Sequence, residues 1–427
     1  MGREGAGTVR ALMSGPFSPF RHRVFAAFWT GAFLSNIGTW METIAVGIYV
    51  TERTGQSGWT GLVAAAGFLP GALLGPLGGA LADRIPRKVL LVTTSSVQTA
   101  LAMVLTVLAA TGSPSPIVVT IIVFAGGCAQ AIGFPTYQSL LPELVPADDL
   151  VGAVALSSAQ WNLGRVVGPV LAGIAIEVGG YAWAYGINAF SFLALIAAVM
   201  LLRLPPPKPH GGQTIRQSIG QGIGYVRGDP GLRVVMSYMF VSTFLAAPFI
   251  ALVPAMSQIV LDAGKRGTFI LVIAQGIGAV AMALSLGALT ARFGNRRVLL
   301  AMLWALPPTL ALYAVTPTLW LTAIALLLVG AIYLGALSSF MSIAQIRAPA
   351  EVRGRVVSLL AVVLGSLYPL GAVLQGAIAD EVGLRATTVA AALLMLAALL
   401  IMRARNPRFA DALDLPPATI AVPSADQ

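Results

Sequence analysis

One pattern at the end of an apolar run returns at the end of another, and this internal repeat limits the possible folds more than any other feature. Gly79-Ala-Leu-Ala-Asp83-Arg84-Ile-Pro86-Arg87-Lys88 in the first half corresponds to Gly287-Ala-Leu-Thr-Ala291-Arg292-Phe-Gly294-Asn295-Arg296-Arg297 in the second. Pro146-Ala-Asp148 and Pro349-Ala-Glu351, each at the opening of an apolar stretch, form a second pair at nearly the same offset. The halves are therefore copies that run in the same sense.

The intervals between these landmarks are too apolar for a soluble core. Apolar residues make up 57% of the chain and charged residues 10%, against roughly 25% charged in a soluble domain. A bilayer crossing takes about 20 consecutive apolar residues. Charged and Pro/Gly-rich breaks divide the chain into twelve such stretches: 24–50, 59–82, 88–111, 116–140, 150–177, 181–203, 232–260, 267–292, 297–316, 318–346, 353–380 and 384–404. The expected fold class is an all-α integral membrane protein, its twelve transmembrane helices arranged as two pseudo-symmetric six-helix bundles. The expected segments are an N-terminal segment 1–23, a bundle 24–203, a linker 204–231, a second bundle 232–404 and a tail 405–427.

Basic residues fix the orientation, because Lys and Arg near span ends are retained on the cytoplasmic side. Of the 26 basic residues, all but Arg53, Lys265, Arg266, Arg385 and Arg165 fall in the termini or in the connections on the side of the termini. Both ends are expected to be cytoplasmic. The net charge of +10 follows from this placement, so nucleic acid is not an expected partner. Arg21-His22-Arg23 precedes an apolar run too long for a signal peptide and without a small-residue cleavage site, and it reads as the start of an uncleaved first span.

Cys128 is the single cysteine, which excludes an intramolecular disulfide and a thiolate zinc site. His22 and His210 lie in cytoplasmic segments with no partner evident in the sequence, and neither a metal nor a cofactor is expected. Pro205-Pro206-Pro207 stiffens the start of the linker, and the stretch containing Arg216 and Arg227 is amphipathic, suited to the headgroups. The tail after Arg403 is polar and rich in Pro, Ala and Asp, and it is expected to be poorly ordered.

The connection between the second and third stretches holds Gly79, Asp83, Arg84, Arg87 and Lys88 in the order Gly-x-x-x-Asp-Arg-x-x-Arg-Lys. This resembles the loop signature of the major facilitator superfamily, with Pro86 in the place of its second glycine. The resemblance implies a cytoplasmic latch, in which Asp83 sits by a helix N-terminus while the basic side chains bind acids or anionic lipid. In the second copy Ala291 replaces the acid, so only the first half is expected to form the carboxylate contact. Gly164, Gly168, Pro169 and Gly173 resemble the glycine-proline signature of drug:proton antiporters in the same superfamily, with Ala172 replacing its penultimate glycine; the same spacing also serves plain helix packing. The segment from Leu141-Pro-Glu143 to Arg165 resembles the enterobactin exporter and macrolide efflux (transmembrane secretion effector) branch, and the likeness extends over residues 20–404. It implies a multi-pass protein of the bacterial inner membrane that exports a drug, siderophore or other secondary metabolite, with protons, membrane lipids and an amphipathic small molecule as partners.

Glu42 and Arg165 are the ionisable residues expected well inside the hydrocarbon, where a charge costs at least about 2.5 kcal/mol. Glu42 lies about 7 Å beyond the middle of its span, on the outward side. It is the leading proton carrier, and a permanent Glu42–Arg165 ion pair is the structural alternative. Glu177 and Asp380 sit near span ends. If stretches 1, 4, 7 and 10 line the cavity, as the resemblance implies, its wall comprises Asn36, Trp40, Gln130, Phe134, Tyr137, Gln138, Tyr238, Phe244, Gln258 and Tyr333. Aromatic rings with scattered hydrogen-bonding groups suit an amphipathic organic compound. Pro70, Pro135, Pro248, Pro254, Pro307, Pro308 and Pro369 are candidate hinges.

The expected function is proton-coupled export by alternating access between parallel repeats, carried out by a monomer. An intramembrane enzyme would need a nucleophile with its base or a metal site, and the spans contain no His, acid pair or Ser-Lys arrangement. A lipid flippase or facilitator, with Arg165 on a phosphate, and a non-transporting sensor of the same fold are the alternatives.

Overall fold

The computed structural model describes residues 17–82, 84–202 and 215–417. Its residues group into two units, 1–55 with 66–211 and 56–65 with 212–427. The described elements are helical, and ten of the helices are long and apolar enough to cross a membrane.

In the first unit α1 spans Arg23–Thr54, α2 Ser57–Ala82, α3 Arg87–Thr111 and α4 Pro116–Leu144. At 32 residues α1 is long enough to cross a bilayer, but it stands outside the ten because Ser35, Asn36, Thr39, Glu42 and Thr43 interrupt its apolar run. The first nine residues of α2 belong to the second unit. Leu150–Met200 is helical throughout except at Gly179 and Gly180, where φ/ψ is −141/17 and 70/−169. Gly180 supplies the positive φ that a side chain would resist, and we label the two arms α5 (150–178) and α6 (181–200).

The register of contacts shows that the chain reverses at these glycines. Trp29 Nε1 donates to Leu156 O at 3.0 Å, Asn36 Nδ2 donates to Gln160 O at 3.0 Å, and Gly168 packs on Ile37 and Trp40, so α5 runs parallel to α1. Asn188 meets Glu42 and Gly31 meets Ala194 and Ala198, so α6 runs antiparallel to it. The apolar core of this unit gathers Phe25, Phe28, Leu140, Leu156 and Val199.

In the second unit the amphipathic stretch with Arg216 and Arg227 forms the short helix α7 (Ile215–Gly228). Next come α8 (Pro230–Leu245), α9 (Phe249–Ala255) with a π-helical end at Met256–Val260, α10 (Gly264–Phe293), α11 (Asn295–Val315), α12 (Leu319–Arg347), α13 (Ala350–Val382) and α14 (Leu384–Arg405). The break between α8 and α9 falls at the expected proline, Pro248. Its freed carbonyls, Phe244 O and Leu245 O, accept from Gln375 Nε2 at 3.3 and 2.9 Å, which offsets the lost backbone bonds. The two copies of the repeat mark equivalent boundaries: α2 ends at Ala82 and α3 starts at Arg87, and α10 gives way to α11 at Gly294, whose φ is 81.

Two sequence expectations are corrected. Residues 406–417 are held in place: Phe409–Leu413 forms a 3-10 turn, Arg296 pairs with Asp411 and with Asp414, and the Phe409 ring lies 5.9 Å from Tyr238. Local polarity misled here, because tail carboxylates and carbonyls find cationic partners distant in sequence. His22 also has a partner, its Nε2 lying 2.7 Å from Asp149 Oδ2. His210 and residues 203–214 lie outside the described residues.

Candidate functional site

Within the first unit α1, α3, α4, α5 and α6 line a partly open cavity of about 280 Å³. Ser35, Asn36 and Thr39 reach it from α1, Thr94, Ser95 and Gln98 from α3, Gln130 and Gln138 from α4, and Ser157, Gln160 and Asn162 from α5. Phe134, Tyr137 and Trp161 add aromatic surface. None of the residues lining it is acidic, basic or histidine. Such a wall offers neutral donors and acceptors beside ring faces, the composition of a pocket for a small organic molecule.

Side chains at the wall are held by one another. Tyr137 OH donates to Gln160 Oε1 at 3.0 Å and lies 3.1 Å from Ser157 Oγ, and its ring stacks on Phe28 at 5.2 Å. Phe134 bridges Tyr137 and Trp161 with centroid separations of 6.5 and 5.7 Å. Asn36 is 5% exposed; its Nδ2 is used by Gln160 O while its Oδ1 has no partner among the described residues. A buried carbonyl oxygen left unpaired is uncommon and marks a position for an incoming donor.

Gly164 and Gly168 let α5 approach α1, since a Cβ at Gly168 would stand 2.5 Å from Trp40 Cβ. Pro169 and Gly173 are buried on the same helix. The glycine-proline segment therefore serves helix packing within this unit, and it sets Trp40 6.1 Å from Trp161.

Glu42 Oε2 accepts from Asn188 Nδ2 at 2.6 Å. Arg165 places its guanidinium 5.8 Å from the Trp40 ring centroid, while the Glu42 carboxylate is met by Asn188. Arg165 is also absent from the cavity wall, where the lipid reading would need it.

Of the ten residues expected to line the cavity, Asn36, Gln130, Phe134, Tyr137 and Gln138 line this one, with Trp40 behind them. In the second unit Tyr238 and Tyr333 are each 6% exposed and belong to the apolar core, and Tyr333 packs on Phe249 at 5.7 Å. Phe244 and Gln258 are half-buried, the first at the α8–α9 break and the second in the π-helical turn. In the loop motif, Asp83 lies outside the described residues. Gly79 faces open space and Arg84 is exposed. Arg87 pairs with Glu143, and Lys88 Nζ donates to Met200 O and Leu202 O at 2.6 and 3.1 Å, at the C-terminal end of α6 where a cation is favoured.

Sequence reasoning missed Asn188, the residue that binds Glu42, and Ser157 and Gln160, which hold Tyr137. A polar residue in the middle of an apolar stretch is the signal that would have found Asn188.

The sequence profile of the family described as "Transmembrane secretion effector" matches residues 14–425. The multidrug efflux pump Tap of Mycolicibacterium fortuitum is 26% identical over 87% of this chain and 92% of its own length. Macrolide efflux protein A of Streptococcus pyogenes is 25% identical over 84% of this chain and 90% of its own. A solved structure of the nucleoside transporter NupG superposes with a TM-score of 0.72 at 12% identity, covering 90% of this chain and all of that one, a likeness of fold.

Proposed function

Since the chain belongs to the transmembrane secretion effector family of multi-pass membrane transporters and is not an enzyme, we propose that it exports an amphipathic organic compound in exchange for protons. The cavity of the first unit would hold the cargo, and Glu42 would carry the proton. The observation that carries this reading is the division of labour along α1: Asn36 and Thr39 face an uncharged cavity, while Glu42, about one turn further on, is held by Asn188. A carboxylate within a span is costly unless it is paired or protonated. A single hydrogen bond from an amide compensates only part of that cost, which favours exchange of a proton at this position.

The efflux relatives support export of a small organic molecule, and the neutral, ring-lined cavity supports a cargo bound by stacking and hydrogen bonds. We further propose twelve crossings, alternating access by bundles 24–203 and 232–404, cytoplasmic termini in a bacterial inner membrane, and a monomer as the working unit.

Inverted membrane vesicles with an imposed proton gradient test the reading. The protein should accumulate ethidium or radiolabelled erythromycin, and collapse of the gradient should abolish accumulation. Glu42→Gln keeps the size of the side chain and removes its proton exchange, so it should lower driven accumulation by about tenfold or more. Unchanged accumulation in this variant removes Glu42 from the coupling step.

A further inference from the structure

Glu42 is the buried end of a line of polar groups that the export reading does not use. Because α1 and α6 are antiparallel, movement along α1 from Glu42 toward its C-terminus is matched by movement along α6 toward its start. On α6 the shared face carries Asn188, Tyr185 and Tyr181 at three- and four-residue spacing. On α1 it carries Glu42, Tyr49 and Glu52. Three rungs join the rails: Asn188 donates to Glu42, the Tyr49 and Tyr181 rings meet edge to face at 5.0 Å, and Tyr181 OH donates to Glu52. Tyr185, between Asn188 and Tyr181 on the same face of α6, stacks on Tyr181 with centroids 6.4 Å apart.

Tyr185 is the informative member. It is 1% exposed, and its hydroxyl has no hydrogen-bond partner among the described residues. A phenylalanine would satisfy packing there, and a buried tyrosine usually finds a partner for its hydroxyl. Tyr49, by contrast, is fixed by donation from its OH to Pro114 O at 2.6 Å. At the far end Glu52 is exposed. The interval from Glu42 to Glu52 is about 15 Å along the helix, too far for one transfer and suited to relayed ones.

We propose that Glu52, Tyr181 and Tyr185 form a proton relay between the non-cytoplasmic surface and Glu42. The inference rests on the reading of Glu42 as the proton carrier. A proton taken up by Glu52 passes to the Tyr181 oxygen as Tyr181 gives up its own. Tyr185 accepts and donates in the same way, water bridges any gap wider than a hydrogen bond, and Glu42 gains the proton. Each phenol ends with the proton count it began with, and no electrons move. Asn188 is a positioning residue that holds the Glu42 carboxylate.

The test uses the full chain in proteoliposomes, with driven accumulation of ethidium or erythromycin measured beside gradient-independent exchange of the same compound. Tyr185→Phe and Tyr181→Phe remove only hydroxyls, and Glu52→Gln alters an exposed group, so this last variant keeps the test usable if a tyrosine variant fails to fold. Each folded variant should lose driven accumulation by about tenfold while exchange stays near the wild-type rate, and the remaining driven transport should slow further in deuterated water. Wild-type driven accumulation in these variants beside an inactive Glu42→Gln overturns the relay and leaves the Glu42 reading standing. Wild-type accumulation in Glu42→Gln overturns both. Equal loss of exchange and accumulation assigns the tyrosines to packing and overturns the relay.

Discussion

Arg347 is 4% exposed, and its partner Asp229 is fully buried. Nε and Nη2 donate to the two Asp229 oxygens at 2.8 and 3.0 Å, and Nη1 donates to Leu413 O and Leu415 O at 3.1 and 2.8 Å. Asp229 also accepts from Leu232 N at 2.7 Å, capping α8. Breaking such a pair leaves an uncompensated buried charge, a loss of about 3–5 kcal/mol. Arg347→Met should therefore lower the thermal unfolding midpoint in detergent strongly, and adding Asp229→Asn should recover part of the loss. If the double variant is no more stable than the single one, the pair is not what holds these groups. Sequence alone shows Arg347 as an ordinary basic residue at a span end, because its carboxylate lies beyond the reach of helical spacing. Asn36, Gln130, Phe134, Tyr137 and Gln138 were legible, since polar and aromatic groups in apolar stretches have few alternative uses. Asn188 carries the same signal, but its meeting with Glu42 was not legible, because that depends on the reversal at Gly180.

Helix ends carry much of the organisation at the next scale. Asp380, near the end of α13, accepts from Ser57 N and Gly58 N at 2.6 and 2.9 Å, so a carboxylate satisfies the first free N–H groups of α2. The contact is close because Gly376 and Gly61 bring the two helices together: a Cβ on Gly61 would clash with Ala372 O. Loss of such a cap costs about 1 kcal/mol, and Asn caps nearly as well as Asp. Asp380→Ala should lower thermal stability modestly and Asp380→Asn should restore most of it. Equal stability of all three proteins would show that the carboxylate is dispensable to α2. The helix boundaries themselves were readable from Pro, Gly and charge, as the α8–α9 break at Pro248 illustrates. The tail was not, because the features that order it are Arg296 and Arg347, on distant helices.

The repeat makes two similar units, yet chemistry divides them unequally. The first contains a cavity of neutral polar groups and carries Glu42, while Tyr238 and Tyr333 of the second are packed into core. The basic loop motifs are also used differently: Arg87 and Lys88 bind a carboxylate and helix carbonyls in one unit, and Arg296 binds tail acids in the other. What the two copies share is a cation-rich connection after their second apolar helix, and the energetics of insertion hold such connections on the cytoplasmic side. On that argument we propose that the connection between α2 and α3 and the one at Gly294 face the cytoplasm, and that the turn at Gly55 faces outward. Cysteine introduced singly at Arg84 or at Gly55, in a Cys128→Ser background, tests this in intact cells with a membrane-impermeant maleimide. The Gly55 variant should react from outside, and the Arg84 variant should react only after permeabilisation. The opposite pattern would invert the protein and, with it, make Glu52 the cytoplasmic end of the tyrosine line, so that the same groups would deliver protons from the wrong compartment for export.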